Sequence, residues 1–161
     1  MIEIQTRMLI KAPTEAVYQS FINPDRIGNF WFSNASATWE VDKEIQLSYE
    51  EFEGKVDLRV LDLKENSRII FEWGPSSDSR VVTIAIKALG PAQSLVEVKE
   101  QGFKDFEGLL TDPNLSEILS FEYEDILDSL MGGKAGWTFM LTCLKAYLES
   151  GITSLRTGLM P

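Results

Sequence analysis

The chain has 161 residues, 44% of them hydrophobic and 25% charged, a globular composition long enough for one domain with a substantial buried core. Acidic residues outnumber basic ones 25 to 15, and the net charge of −10 repels nucleic-acid phosphates and anionic lipid surfaces. Histidine is absent and Cys143 is the only cysteine, which excludes imidazole catalysis, an internal disulfide and a structural zinc site. No cofactor or metal is therefore expected, the cytoplasm is the default location, and no apolar run is long enough to span a membrane.

Ile2, Ile4, Met8 and Ile10 alternate with Glu3, Gln5, Arg7 and Lys11, the period of a half-buried strand. This opening reads as a strand, not a signal peptide. Pro13 stops the strand and can open a helix carrying Ala16, Val17, Ser20 and Phe21. Asn23-Pro24 ends that helix and starts a second, with Asn23 as its cap, bearing Ile27, Phe30, Trp31 and Phe32.

Successive strands are predicted from Thr38 to Gly102. Ile45, Leu47 and Tyr49 alternate with polar residues, as do Val56, Leu58 and Val60, and Ile69, Phe71 and Trp73 alternate with Arg68, Ile70 and Glu72. Turns fall at Gly54, at Glu65-Asn66-Ser67, at Gly74 to Asp78 and at Gly90-Pro91. Arg80 to Lys87 and Leu95 to Gln101 complete the set, and the short turns imply an antiparallel meander.

The stretch from Asp105 to Asp128 holds eight acidic residues, and Asn114 with Glu117 forms a capping-box signal ahead of Leu115, Ile118 and Leu119. Gly132-Gly133 is expected to break the chain before a final helix from Lys134 to Glu149. There Lys134, Thr138, Thr142, Lys145 and Glu149 form one narrow polar stripe. A surface helix needs an apolar arc of only about 100°. This one exceeds it, so it must be covered on more than one side. The tail from Ile152 to Pro161 is expected to be loosely held.

This order resembles the START-like (SRPBCC, helix-grip) superfamily, and within it the branch of heat-shock-protein-90 ATPase activator homologues. The residues that carry the resemblance are Ala12-Pro13, Asn23-Pro24, Trp31-Phe32, Trp73, Val81-Val82-Thr83, Gly102-Phe103 and Gly136-Trp137. The resemblance implies an α+β helix-grip fold: a curved antiparallel sheet wrapped around a long C-terminal helix, with two short helices after the first strand. The domain would occupy residues 1–151, with 103–133 an acidic helical insertion or lid and 152–161 a tail. In the superfamily, sheet and helix enclose a cavity, and members carry lipids, sterols, plant hormones or polyketides. The expected function is thus non-enzymatic binding of a small hydrophobic or amphipathic ligand. The alternatives are a co-chaperone-like module that activates a chaperone ATPase, or a cyclase or aromatase.

Glu100 shares the period-two face of Val96 and Val98. It either meets a ligand hydroxyl or amine in an apolar cavity, or pairs with a surface Lys or Arg at the strand end, the commoner fate of such a carboxylate. Trp31, Trp73, Phe103 and Trp137, with Phe32 and Trp39, either line a pocket or fill the core, and Tyr49 and Tyr147 add hydroxyls. The expected ligand-facing set is Trp31, Tyr49, Trp73, Glu100, Phe103, Trp137, Met140, Leu141 and Leu144. No catalytic residue is assigned. Cys143 reads as a small buried hydrophobe, and the acidic segment as a solvated helix face.

Overall fold

The computed structural model describes residues 2–51, 53–103 and 122–158. Strand β1 (Glu3–Ile10) leads into α1 (Thr14–Ile22) and α2 (Pro24–Ile27). Pro13 occupies the cap position of α1, and the Asn23 side chain accepts from the Asp25 amide at 2.9 Å with Pro24 in the first turn of α2. The meander follows as β2 (Asn34–Ala35), β3 (Glu44–Ser48), β4 (Lys55–Lys64), β5 (Arg68–Trp73), β6 (Arg80–Gly90) and β7 (Gln93–Gln101). The chain then returns as α3 (Glu122–Ser150) and ends in a 3-10 turn, Leu155–Thr157.

The strands form one seven-stranded antiparallel sheet in the order β1-β7-β6-β5-β4-β3-β2. Tight turns join β4 to β5 and β6 to β7, longer loops join the other neighbours of the meander, and β1 crosses over to pair with β7 from Glu3↔Gln101 to Ile10↔Ser94. A register shift between Val60 and Asp62 puts an extra residue into β4, and a bulge of this kind bends the strand and deepens its twist. Burial alternates strictly along β7, where Ser94, Val96, Val98 and Glu100 all face inward. Ile69 and Phe71 of β5 and Val82, Ile84 and Ile86 of β6 share that inner face. Helix α3 lies across it against β1, burying Trp137, Met140, Leu141, Cys143 and Leu144 in the same core as Phe21, Phe30 and Phe71.

Three local expectations differ from the structure. No strand begins at Thr38: residues 36–43 run as coil and turn around Asp42 at φ 66, whose amide donates to the Val60 carbonyl at 2.8 Å. Only β2 precedes β3 in this region.

Gly132-Gly133 does not break the helix, which runs through both. A Cβ on Gly133 would stand 2.6 Å from Ile4 Cδ1, so the missing side chain is what lets α3 approach β1. Residues 122–133 therefore belong to α3. The predicted capping box and the leucine face at 115–119 lie outside the described residues.

The tail is not loose as far as residue 158. Arg156 donates to the Trp31 carbonyl and the Ser33 hydroxyl, both at 3.2 Å, and pairs with Glu51 at 2.6 Å. Charge-assisted contacts to three separate partners offset the entropy of holding a short segment.

Where α3 meets the free edge of β1, Lys134 Nζ donates to the Gln5 carbonyl and Lys145 Nζ to the Leu9 carbonyl. Among the described residues no helix is long and apolar enough to cross a membrane.

A Cβ at Gly132 would meet nothing within 4 Å among the described residues. Gly132→Ala is thus expected to stabilise the protein by about 0.5–1 kcal/mol, the usual gain in a helix interior. Gly133→Ala should gain less, because the Ile4 side chain must move. Urea denaturation of the two variants beside the parent checks the order.

Candidate functional site

The site begins with the last inward residue of β7. Glu100 is 4% exposed, between the end of β5 and the middle of α3. The Trp73 indole nitrogen donates to its Oε1 at 3.0 Å and the Trp137 indole nitrogen to its Oε2 at 2.7 Å. One carboxylate thus fixes an indole on the sheet and an indole on the helix. The two rings lie 5.2 Å apart at 27°. Trp31, from the segment after α2, closes the group with ring centroids 6.2 Å from Trp73 and 5.6 Å from Trp137. Edge and tilted contacts extend it to Phe21 and Phe71, and Phe32 carries the Tyr49 ring at 4.4 Å. Among the described residues Glu100 therefore pairs with no surface Lys or Arg. Its place on the inner face puts it among aromatic rings, and two neutral donors satisfy it.

These rings border a cavity of about 530 Å³ between sheet and helix. Six of the nine expected residues line it: Trp31, Tyr49, Trp73, Glu100, Trp137 and Met140. Phe103, Leu141 and Leu144 do not, and each is almost wholly buried. Gly133, Gly136, Trp137 and Met140 follow one another along the helix face that meets the space. Leu141 is rotated off that face, and Leu144 lies a further turn along the axis, in the packed core. Phe103 carries the Arg80 guanidinium 4.4 Å from its ring centroid, so Arg80 borders the cavity and Phe103 backs it.

The wall also holds Phe30, Phe32, Phe139, Ser129, Arg80 and Arg156, which were absent from the expected set. Arg80 was legible: it precedes Val82, Ile84 and Ile86 on the inner face of β6 by strict alternation. Arg156 was not, because a side chain in an aperiodic tail carries no facing signal. Tyr147 stacks on Phe30 at 6.3 Å and stays outside the lining.

Burial raises the pKa of the Tyr49 hydroxyl, and the Arg156 guanidinium pulls it partly back. Burial also raises that of the Cys143 thiol, which keeps it protonated and unreactive at neutral pH. Glu51 titrates below the ordinary glutamate value, first because of a backbone hydrogen bond at its own amide and then because of Ser33 and Arg156. A lowered folded-state value means the contribution is complete above the unfolded pKa and fades as pH falls through the folded one. The Arg156–Glu51 attachment is accordingly expected to hold at neutral pH and to loosen on acidification below the ordinary carboxylate range. Backbone NMR shifts of residues 152–158 along an acid titration should show this as a transition toward random-coil positions.

A curved antiparallel sheet clasping a long C-terminal helix over an aromatic cavity is the helix-grip arrangement of the START-like superfamily. The chain belongs to the family described as activator of Hsp90 ATPase homolog 1-like protein, whose model matches residues 11–149. It is similar to the protein SSP2350 of Staphylococcus saprophyticus, with 33% identity over 94% of this chain and 95% of that one and a TM-score of 0.73. The fold also matches the Aha1 dimer of Colwellia psychrerythraea, with 19% identity over 94% and 98% of the two chains and a TM-score of 0.69. It likewise matches DynU16, from the dynemicin biosynthetic locus, with 17% identity over 94% of this chain and 49% of that one and a TM-score of 0.72. No curated protein matches the chain.

Removing the Glu100 carboxylate leaves two indole donors without their acceptor. Each unsatisfied buried donor costs about 1–3 kcal/mol, so Glu100→Ala is expected to lower unfolding stability by about 2–4 kcal/mol. Glu100→Gln, which retains one acceptor oxygen, should lose less. Guanidinium denaturation, with the emission maximum of the native state read alongside, tests both.

Proposed function

We propose that the protein binds a small, largely apolar molecule in the cavity between the sheet and α3, and that it acts as a carrier or sensor of that molecule. The observation that carries this reading is a cavity of about 530 Å³ whose aromatic wall is braced by a buried carboxylate. Pockets for drug-sized ligands commonly fall between about 300 and 1,000 Å³, mostly apolar with a few fixed polar groups. Aromatic rings ordinarily collapse onto one another. Here the hydrogen bonds from Trp73 and Trp137 to Glu100 hold two of them at the rim of the space. An ionised carboxylate offers about four lone-pair sites, and the indoles use two, so Glu100 can accept a further hydrogen bond from a ligand hydroxyl or amine.

The commitment of both Glu100 oxygens to indoles supports a bracing role over acid–base catalysis. Family membership keeps activation of a chaperone ATPase as a second reading. It predicts a rise in chaperone turnover on adding the protein, and an unchanged rate would set it aside.

Native mass spectrometry of protein purified from its source should show a bound species of defined mass. An empty protein with no thermal shift across a panel of fatty acids, sterols and aromatic compounds would defeat the ligand reading. Gly136 offers a second test. It lines the cavity, and a Cβ there meets nothing within 4 Å among the described residues. Gly136→Leu is expected to leave folding intact or improve it and to weaken binding about ten-fold or more, since the added side chain occupies ligand space. Isothermal calorimetry with a ligand found by the panel reads the change.

A further inference from the structure

Two guanidinium groups, those of Arg80 and Arg156, stand on the cavity wall. Arg156 pairs with Glu51 at 2.6 Å and Arg80 with Asp78 at 3.0 Å, and neither acid borders the space. Among the described residues the one carboxylate on the wall, Glu100, has both oxygens turned to indole donors. The wall thus presents guanidinium donors as well as aromatic rings.

Arg156 is the group with donors to spare. Its side chain is 12% exposed. A guanidinium carries five N–H donors. One Nη1 hydrogen goes to the Trp31 carbonyl, and the two on Nη2 go to the Ser33 hydroxyl and to Glu51. The Nε hydrogen and the second Nη1 hydrogen meet no acceptor among the described residues. Tyr49 is close enough for this guanidinium to act on its hydroxyl, and it lines the same cavity. The three existing contacts fix the fork and so lower the ordering cost of accepting a ligand there.

We propose that the cavity selects small organic acids: the ligand carboxylate takes an uncommitted N–H donor of Arg156, and the apolar body lies against Trp31, Trp73 and Trp137. The proposal rests on the reading of the cavity as a ligand site and adds the chemical class of the ligand and the residue that sets it.

The test compares naphthoic acid with naphthalenemethanol, which share a ring system and differ in charge, by calorimetry at neutral pH. The parent protein is expected to bind the acid about ten-fold or more tightly than the alcohol, the usual scale of a hydrogen bond to a charged group. Arg156→Met should abolish that preference by weakening the acid while leaving the alcohol unchanged. Glu51→Gln removes the ion pair that fastens the tail but keeps the guanidinium, so the preference for the acid should persist or grow.

Equal affinities in the parent would overturn the proposal. So would a preference that survives Arg156→Met, or one lost alike in Glu51→Gln, which would mark Arg156 as a fastening of the tail only. Weakening of acid and alcohol together in Arg156→Met would count against it in the same way. Binding of neither probe at millimolar concentration, with native mass spectrometry also empty, would remove the cavity reading itself.

Discussion

One buried carboxylate ties the sheet to the helix that crosses it. Glu100 comes from β7, Trp73 from β5 and Trp137 from α3, so the pair of indole hydrogen bonds crosses from sheet to helix. Burying a carboxylate is costly unless donors surround it. Here the donors are the polar edges of two large apolar rings, so the same contacts that satisfy the charge also orient the hydrophobic wall. The helix is thereby held at a set distance from the strands, and the cavity is the space that this distance leaves.

Glycine shapes the helix side of the same interface. Gly133 lets α3 close onto Ile4 of β1, while Gly136, nearly a turn further on, leaves open space at the cavity. Between and beyond them Trp137 and Met140 provide bulk. The helix thus pinches against the edge strand and opens toward Glu100. The contour follows from the order of small and large residues along one face.

Much of this was legible because strands announce their faces. Strict alternation through Val96, Val98 and Glu100, and through Ile69, Phe71 and Trp73, placed the carboxylate and one indole on the inner side before any coordinates. The same rule reaches Arg80. It does not say what a buried Glu100 bonds to, because the choice between an indole and a surface lysine depends on which element crosses the sheet. A pair of glycines ordinarily marks an interruption, and only the distance from Gly133 to Ile4 shows why a helix continues through them. Leu141 and Leu144 share the apolar character of Met140, and their distance from the cavity reflects rotation and rise along the helix. Arg156 had no pattern at all. Its role comes from three contacts to residues more than a hundred positions earlier.

Edge strand β1 has a further property. Its outward carbonyls at Gln5 and Leu9 are already occupied by the ammonium groups of Lys134 and Lys145. A foreign strand that sought to extend the sheet there would first have to displace both cations. The chain therefore guards its own seam against templated aggregation with side chains of its longest helix, and a partner approaching from that side meets lysines before it meets open backbone.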